Sequence, residues 1–364
     1  MMFDMLFSVP NFGWTRSVVL AAGVALGACV GCHPAEALSA DSGSCLIIDS
    51  DAGLDDFRAV AALGALGPSV PARKVAAIIT TEGVARSPEG AGAMERFLKN
   101  AGLTIPVIQG VLPNPKRRFT AEHPLDPRLP IWRKEAELLN LTLPEVERQA
   151  NPAGEDVAVL LRRHTETCTS ISLLVIGPWT SFLRYAPDIL GRIERIVVQG
   201  RPYPDELGGE PAGFNCTYDV DSCLAAFDLL VGRQQRGGRR FRATWVDIPQ
   251  GPEACAKAEP GVNAEGEPLW AFAPVESWEN ELRELADRYQ KGEVDRGQPA
   301  RAVAGLLRNR QGLANNSLWD DLAALFLIRP ELFAVRGGHV EPCVPAATVR
   351  ANLSAAMILP ERLH

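Results

Sequence analysis

The stretch Cys45-Leu46-Ile47-Ile48-Asp49-Ser50-Asp51-Ala52-Gly53-Leu54-Asp55-Asp56 decides the fold. Its apolar run, Cys45 to Ile48, reads as a strand buried on both faces, as in a parallel sheet. The Ala- and Leu-rich run that follows, Phe57 to Leu66, reads as a helix. Gly53 lets the backbone turn between the two. Four aspartates, Asp49, Asp51, Asp55 and Asp56, thus crowd the point where a strand ends and a helix begins. Open α/β sheets place their ligand sites there. Like charges this close repel, so either some carry protons or a cation sits among them. An N-capping role accounts for Asp55 or Asp56, not for all four.

Outward from this stretch, strand-like and helix-like runs alternate. Val75 to Thr80, Ile105 to Gln109, Ile171 to Ile176, Ile193 to Gln199 and Ala243 to Ile248 read as strands. Gly92 to Ala101, Glu155 to Glu166, Thr180 to Leu190 and Leu224 to Val231 read as helices. The rhythm predicts an α/β fold: an open, mainly parallel sheet with helices on both faces. Residues 113–152, rich in Pro, Arg and Glu, read as an inserted lid loop with a short helix. Gln250 to Pro274 is a second irregular stretch. Neither has the look of an interdomain linker, so residues 41–364 are expected to form one domain.

A net charge of −7 and a pI near 5.4 argue against nucleic acid as a partner. The basic run Arg233 to Arg242 reads as a solvated loop, because Gln and Gly interrupt it. Residues 1–40 read as an export leader: Arg16 precedes the apolar stretch Ser17 to Cys29, which is short for a membrane span. Leu26-Gly27-Ala28-Cys29 resembles a lipobox, which would put a lipid anchor on Cys29; Ala35-Glu36-Ala37 is an alternative cleavage site. The expected location is exported: periplasmic, membrane-anchored or secreted. Cys45, Cys168, Cys216, Cys223, Cys255 and Cys343 then form an even set suited to disulfides, and Cys216 and Cys223 are near enough in sequence to pair.

A calcium ion takes about six to eight oxygen ligands, more than one turn can supply. Ser317-Leu318-Trp319-Asp320-Asp321 opens an amphipathic helix running to Ile328 and offers another carboxylate. A simple N-cap at Ser317 or Asp320 is the structural alternative.

Asp49 to Asp56 closely resembles the Asp-x-Asp-Pro-Gly-x-Asp-Asp signature of the inosine-uridine nucleoside hydrolase family. In the family's order follow Ile78-Ile79-Thr80-Thr81-Glu82-Gly83, Leu174 to Thr180, Val197-Val198-Gln199-Gly200, Gly213-Phe214-Asn215, and Trp319-Asp320-Asp321 through Pro330. The resemblance spans about Cys45 to Phe333. It implies a nucleoside-hydrolase-like, Rossmann-like domain that cleaves the N-glycosidic bond of ribonucleosides or related ribosides. It further implies a Ca²⁺ held by Asp51, Asp56, Asp320 and the backbone carbonyl of Ile176. Asp51 would deprotonate the attacking water, Asp55 and Asn215 would bond the ribose hydroxyls, and Asp49 would anchor the loop from behind. Members of the family are often homodimers or homotetramers.

The chain departs from the family at several positions. Its Pro is Ala52, an expected tolerable change; its Asn after the second strand is Val84; its Glu is Gly213. The His before the last Asp is Trp319, which cannot donate a proton as an acid but can stack on a base. His123 is the nearest match to the family's lid His, and Glu82 or Asp126 are substitute polar contacts. Two other readings remain: a protein of this fold that binds ribosides without turnover, and a haloacid-dehalogenase-like phosphatase. Gly53 and the unexplained pair Asp55-Asp56 count against the phosphatase. An EF-hand would need Gly at Leu54 and Glu at Val60.

Overall fold

A computed structural model of the protein describes residues 43–64, 74–113, 126–127, 129–143, 155–200, 213–236, 242–246, 284, 287–288, 291–294, 319–336, 338–344 and 346–356. These belong to one compact unit within 33–364. The leader, Cys255, His123-Pro124 and the stretch from Gln250 to Pro274 lie outside the described residues.

The strands are β1 (Ser44–Ser50), β2 (Lys74–Thr80), β3 (Val107–Gln109), β4 (Ser170–Val175), β5 (Ile193–Gln199), β6 (Arg242–Val246), β7 (Phe333–Arg336) and β8 (His339–Pro342). They form one sheet in the order β3-β2-β1-β4-β5-β6-β8-β7, parallel throughout except where β7 runs against β8. Helices α1 (Leu54–Gly64), α2 (Ser87–Asn100), α3 (Leu129–Thr142), α4 (Val157–His164), α5 (Thr180–Ile189), α6 (Phe214–Thr217), α7 (Val220–Arg236), α8 (Asp320–Ile328) and α9 (Ala346–Ala356) connect or cover them.

Strand alternation explains the two-sided core. Leu46 and Ile48 of β1 point into one apolar layer with α1, α2, α8 and α9. Cys45 and Ile47 point into the other, with α4, α5 and α7. With both faces covered, β1 needs apolar residues at every position, which is why it reads as a continuous run. Parallel β2 and β4 flank β1 on opposite sides, so the chain order reverses at β1. Such a switch point opens a crevice at the carboxyl ends of the strands, and Asp49 to Asp51 end β1 there.

Some sequence-based boundaries move. Helix α1 begins at Leu54, so Asp55 and Asp56 occupy its first turn. Helix α2 begins at Ser87, with Pro88 in its first turn, where a missing N–H costs nothing. Arg233 to Arg236, expected in a loop, continue α7, and Arg242 begins β6. Helix α8 is not amphipathic: every residue from Asp320 to Leu327 is buried, because α8 packs on α1, α9 and β5 at once. Within the expected lid, α3 is an ordered helix of 14 residues. Cys45 bonds Cys168, tying the start of β1 to the turn before β4, and Cys216 bonds Cys223, tying α6 to α7. Cys343 is also disulfide-bonded.

Candidate active site

The β1–α1 loop is held by its own acids. Asp56 lies in the first turn of α1 and reaches back: its Oδ1 accepts from the Asp51 amide at 3.1 Å and its Oδ2 from the Gly53 amide at 2.9 Å. The Ala52 amide between them donates to Ser50 Oγ at 3.0 Å. This wrapping puts Ala52 at φ 56, in the left-handed region. A proline ring fixes φ near about −65°. The Pro-to-Ala difference is therefore a change of backbone, not the neutral exchange expected from the sequence.

Asp51 is buried, and its Oδ2 accepts from the Val84 amide at 2.9 Å. The loop after β2 comes so close that a Cβ on Gly83 would lie 2.2 Å from Asp51 Oδ2. On the other side, a Cβ on Gly177 would lie 2.8 Å from the Asp51 amide nitrogen. Both positions need glycine for this approach. Asp49 stands behind: it accepts from Thr81 Oγ1 at 2.5 Å and from the Tyr185 hydroxyl at 2.7 Å, and is fully buried.

Asp55, Asp56 and Asp320 bring carboxylate oxygens within 4.8 Å of one another. The expected set was Asp51, Asp56 and Asp320, with Asp55 reserved for sugar. Asp55 stands with Asp56 and Asp320 in that group, and one oxygen of Asp51 accepts from the Val84 amide. The Ile176 carbonyl, an expected ligand, lies at the end of β4 and accepts from Asn215 Nδ2 at 2.9 Å. Asn215 Nδ2 also donates to Gln199 Oε1 at 3.1 Å.

The electrostatics of this cluster are uphill. Burial, then the charge of Asp56, holds Asp51 well above the usual carboxylate range. Burial, then Asp55, Asp56 and Asp51, does the same to Asp320. Burial pushes Asp55 up against the lowering effect of Arg58. Burial and then Asp55 push Asp56 up to about 6, and burial pushes Asp49 up to about 7 against its two hydrogen bonds. Buried carboxylates without matching positive charge either hold protons or bind a metal. The donors present are carboxylate and carbonyl oxygens, the chemistry of a hard divalent cation.

Arg58 is the base within this region. It sits one helical turn into α1, 1% exposed, and its Nε donates to Asp321 Oδ2 at 2.7 Å. Its bond to Asp321 joins the first turn of α1 to that of α8.

An aromatic group borders the acids. Trp319, directly before Asp320, meets Trp132 of α3 edge-on with centroids 5.7 Å apart; Trp132 meets Phe214 at 5.3 Å, and Phe214 meets Tyr218 at 5.4 Å. Tyr218 donates to Glu82 Oε1 at 3.1 Å and accepts from Arg133 Nη2 at 2.9 Å, while Arg133 also reaches the Gly83 carbonyl at 3.4 Å. Helix α3, predicted as part of a lid, is thus fastened to the loop that grips Asp51.

Reading the residues in order did not find Arg58, Gln199, Thr81 or Tyr185. Arg58 carries a detectable signal, a lone charge inside an apolar helix that must meet a buried acid. Thr81, Tyr185 and Gln199 have no local signal, since their partners are distant in sequence.

An open parallel sheet with a carboxylate cluster at its switch point defines the class: an α/β protein whose acidic site lies at the carboxyl edge of the sheet, where such folds place their ligands. The family model of the inosine-uridine preferring nucleoside hydrolases matches residues 46–354, and the chain belongs to that family. Among solved structures, the chain is similar to the inosine-uridine preferring nucleoside hydrolase of Bacillus anthracis. The TM-score is 0.50 at 14% identity, over 86% of this chain and 98% of that one. It is also similar to a purine-preferring ribonucleoside hydrolase from Gardnerella vaginalis, with a TM-score of 0.48 at 15% identity, over 86% of this chain and 98% of that one. At 14% identity the likeness to the Bacillus anthracis structure speaks to the fold alone. None of the curated proteins compared matches the chain.

Proposed function

We propose that the protein is a Ca²⁺-dependent hydrolase of the N-glycosidic bond of ribonucleosides or related ribosides. The observation that carries this reading is the buried group Asp55, Asp56 and Asp320, with Asp51 beside it and the proton affinities of these acids raised by burial and mutual repulsion. Asp51, Asp55, Asp56, Asp320 and the Ile176 carbonyl are the oxygens that would hold the ion. When bound, Ca²⁺ would supply the missing positive charge, acidify water and orient a sugar diol.

The protein groups supply the rest. Asp51 accepts the proton of the attacking water. The water oxygen bonds to the anomeric carbon as the bond to nitrogen breaks, and the electron pair leaves with the base. The Val84 amide and the close approach of Gly83 fix the Asp51 carboxylate. Asp49, with both oxygens engaged, braces the loop and is too enclosed to act as a phosphatase nucleophile. Trp319 and Trp132 offer aromatic surface to the leaving base.

A second reading, riboside binding without turnover, is favoured by two observations: a Trp stands directly before Asp320, and Gly213 has no side chain with which to grip a hydroxyl.

We place the mature protein outside the reducing cytosol. Two described disulfides support export, as such bonds persist in oxidising compartments. A lipid anchor at Cys29 and assembly as a homodimer or homotetramer complete the proposal.

Purified protein with Ca²⁺ is expected to release base and reducing sugar from a nucleoside panel, and chelation should abolish it. Asp51→Asn should lower turnover by at least about 100-fold with the fold retained. Saturable binding without turnover would establish the second reading. Phosphate release from phosphomonoesters with Mg²⁺ would overturn both.

A further inference from the structure

Asn215 and Gln199 form a coupled pair of amides whose orientations are determined. The Ile176 carbonyl can only accept, so Asn215 must turn its NH₂ group toward it, at 2.9 Å. Gln199 meets the same NH₂ group at 3.1 Å and must therefore offer its oxygen. Both hydrogens of Asn215 Nδ2 are then used. Asn215 has left only Oδ1, an acceptor. Gln199 has left Nε2, a donor pair, and no described residue accepts from it. Asn215 is nearly buried at the base of α6, while Gln199, the last residue of β5, is half-buried at the carboxyl edge of the sheet. The pair is joined to the acidic site through Ile176, whose amide donates to the Asp49 carbonyl at 2.8 Å and whose neighbour Gly177 lies against the Asp51 backbone.

We infer that Gln199 is a specificity-determining residue: it donates from Nε2 to a sugar hydroxyl that in turn donates to Asn215 Oδ1. An acceptor beside a donor is the pattern that one hydroxyl satisfies with both of its functions. An ether, a methylated sugar or a deoxy position cannot. Gln199 thereby takes over a hydroxyl contact on a wall where Gly213 contributes no side chain. The inference rests on the proposed riboside site and names which residue reads its hydroxyls.

The test uses the full protein with Ca²⁺ and a C-nucleoside, whose carbon–carbon glycosidic bond does not hydrolyse, together with its 2′-deoxy and 3′-deoxy counterparts. Binding is measured by calorimetry, so no turnover is needed. Gln199→Met should weaken binding of the ribo compound by about 10-fold, the usual size of one hydrogen bond with a buried partner. The same change should leave unaltered the affinity for whichever deoxy compound lacks the gripped hydroxyl. Gln199→Glu, which keeps the oxygen facing Asn215 but loses the donors, should show the same hydroxyl-dependent loss. Equal losses for all three compounds, or no loss, would overturn the assignment of Gln199 while leaving the riboside site standing. Failure of the unaltered protein to bind any of the three would overturn the riboside reading itself, and this inference with it.

Discussion

Replacing Arg58 with Met should destabilise the protein in a way that depends on pH. The Arg58 guanidinium meets Asp321 at 2.7 Å, with side chains 1% and 0% exposed. Removing one partner of such a pair leaves a buried charge unbalanced, at a cost of about 3–5 kcal/mol. Burial already pushes Asp321 up to about 6, even with the charge and hydrogen bond of Arg58 opposing the shift. Without Arg58 it must rise further. Near about pH 5 the variant's Asp321 takes up a proton, and what remains is a lost hydrogen bond and stem contacts, on the order of 1–2 kcal/mol.

The direction follows from proton binding. An acid whose folded-state pKa lies above its unfolded value holds its proton more tightly when folded, so stability is lost as pH rises through that window. The gap between variant and unaltered protein should thus widen from about pH 5 to about pH 8. At roughly 2–4 °C per kcal/mol, the melting temperature should fall by roughly 6–20 °C at the upper pH. Thermal melts and urea titrations in chelator, at both pH values, read this directly. Arg58→Met with Asp321→Leu should recover most of the loss, since no charge is then stranded. A single variant that loses under about 1 kcal/mol at the upper pH, or a double variant no better than the single one, would refute the reasoning.

Asp49, held up at about 7, and Asp56, at about 6, make the metal-free protein lose stability as pH climbs from near 4 toward 7, because the folded state keeps those protons longer than the unfolded chain. Calcium should reverse that slope in thermal melts, adding about 2.7 kcal/mol at 100 times its dissociation constant; a chelator-insensitive melt would count against the site. Ala52→Pro, which restores the family's residue, should destabilise by more than about 1 kcal/mol in urea titrations, since φ 56 and the amide bond to Ser50 are both forbidden to it. The Cys45–Cys168 bond closes 123 residues and the Cys216–Cys223 bond 7, so Ser substitutions should cost about 5 and about 2 kcal/mol respectively by chain entropy, in that order.

The fold was legible because its signal is local. Residues 45–48 are apolar at every position and 171–175 at all but Ser172, as a strand covered on both faces requires, and the residues between the strands carry helix formers. The acidic turn was legible for the same reason: four charges in one short stretch have few bland explanations. Legibility ended where partners come from afar. Arg58 and Asp321 are 263 positions apart, and Tyr185 and Asp49 are 136 apart. Nothing in either segment names the other. Val84, brought in by β2, likewise bonds one Asp51 oxygen from 33 positions away.

The leaving-group side of the site is where turnover and mere binding part. Loss of an N-bonded base needs either a proton delivered to it or an environment that tolerates its developing charge. Trp319 delivers no proton. Tyr218 belongs to the same aromatic group, but its proton is directed to Glu82 and its oxygen accepts from Arg133. The arrangement leaves a cation, Arg133, one hydrogen bond behind a phenol, and such a relay favours negative charge rather than proton release to a neutral base. A base that leaves as a stabilised anion, stacked on Trp132 and Trp319, needs less protonation than one that must leave neutral. Under the proposed reaction, this wall is expected to favour ribosides with acidic leaving groups. An activated riboside bearing a nitrophenol should be cleaved much faster than any natural nucleoside, and comparable rates for both would point to an acid outside the described residues.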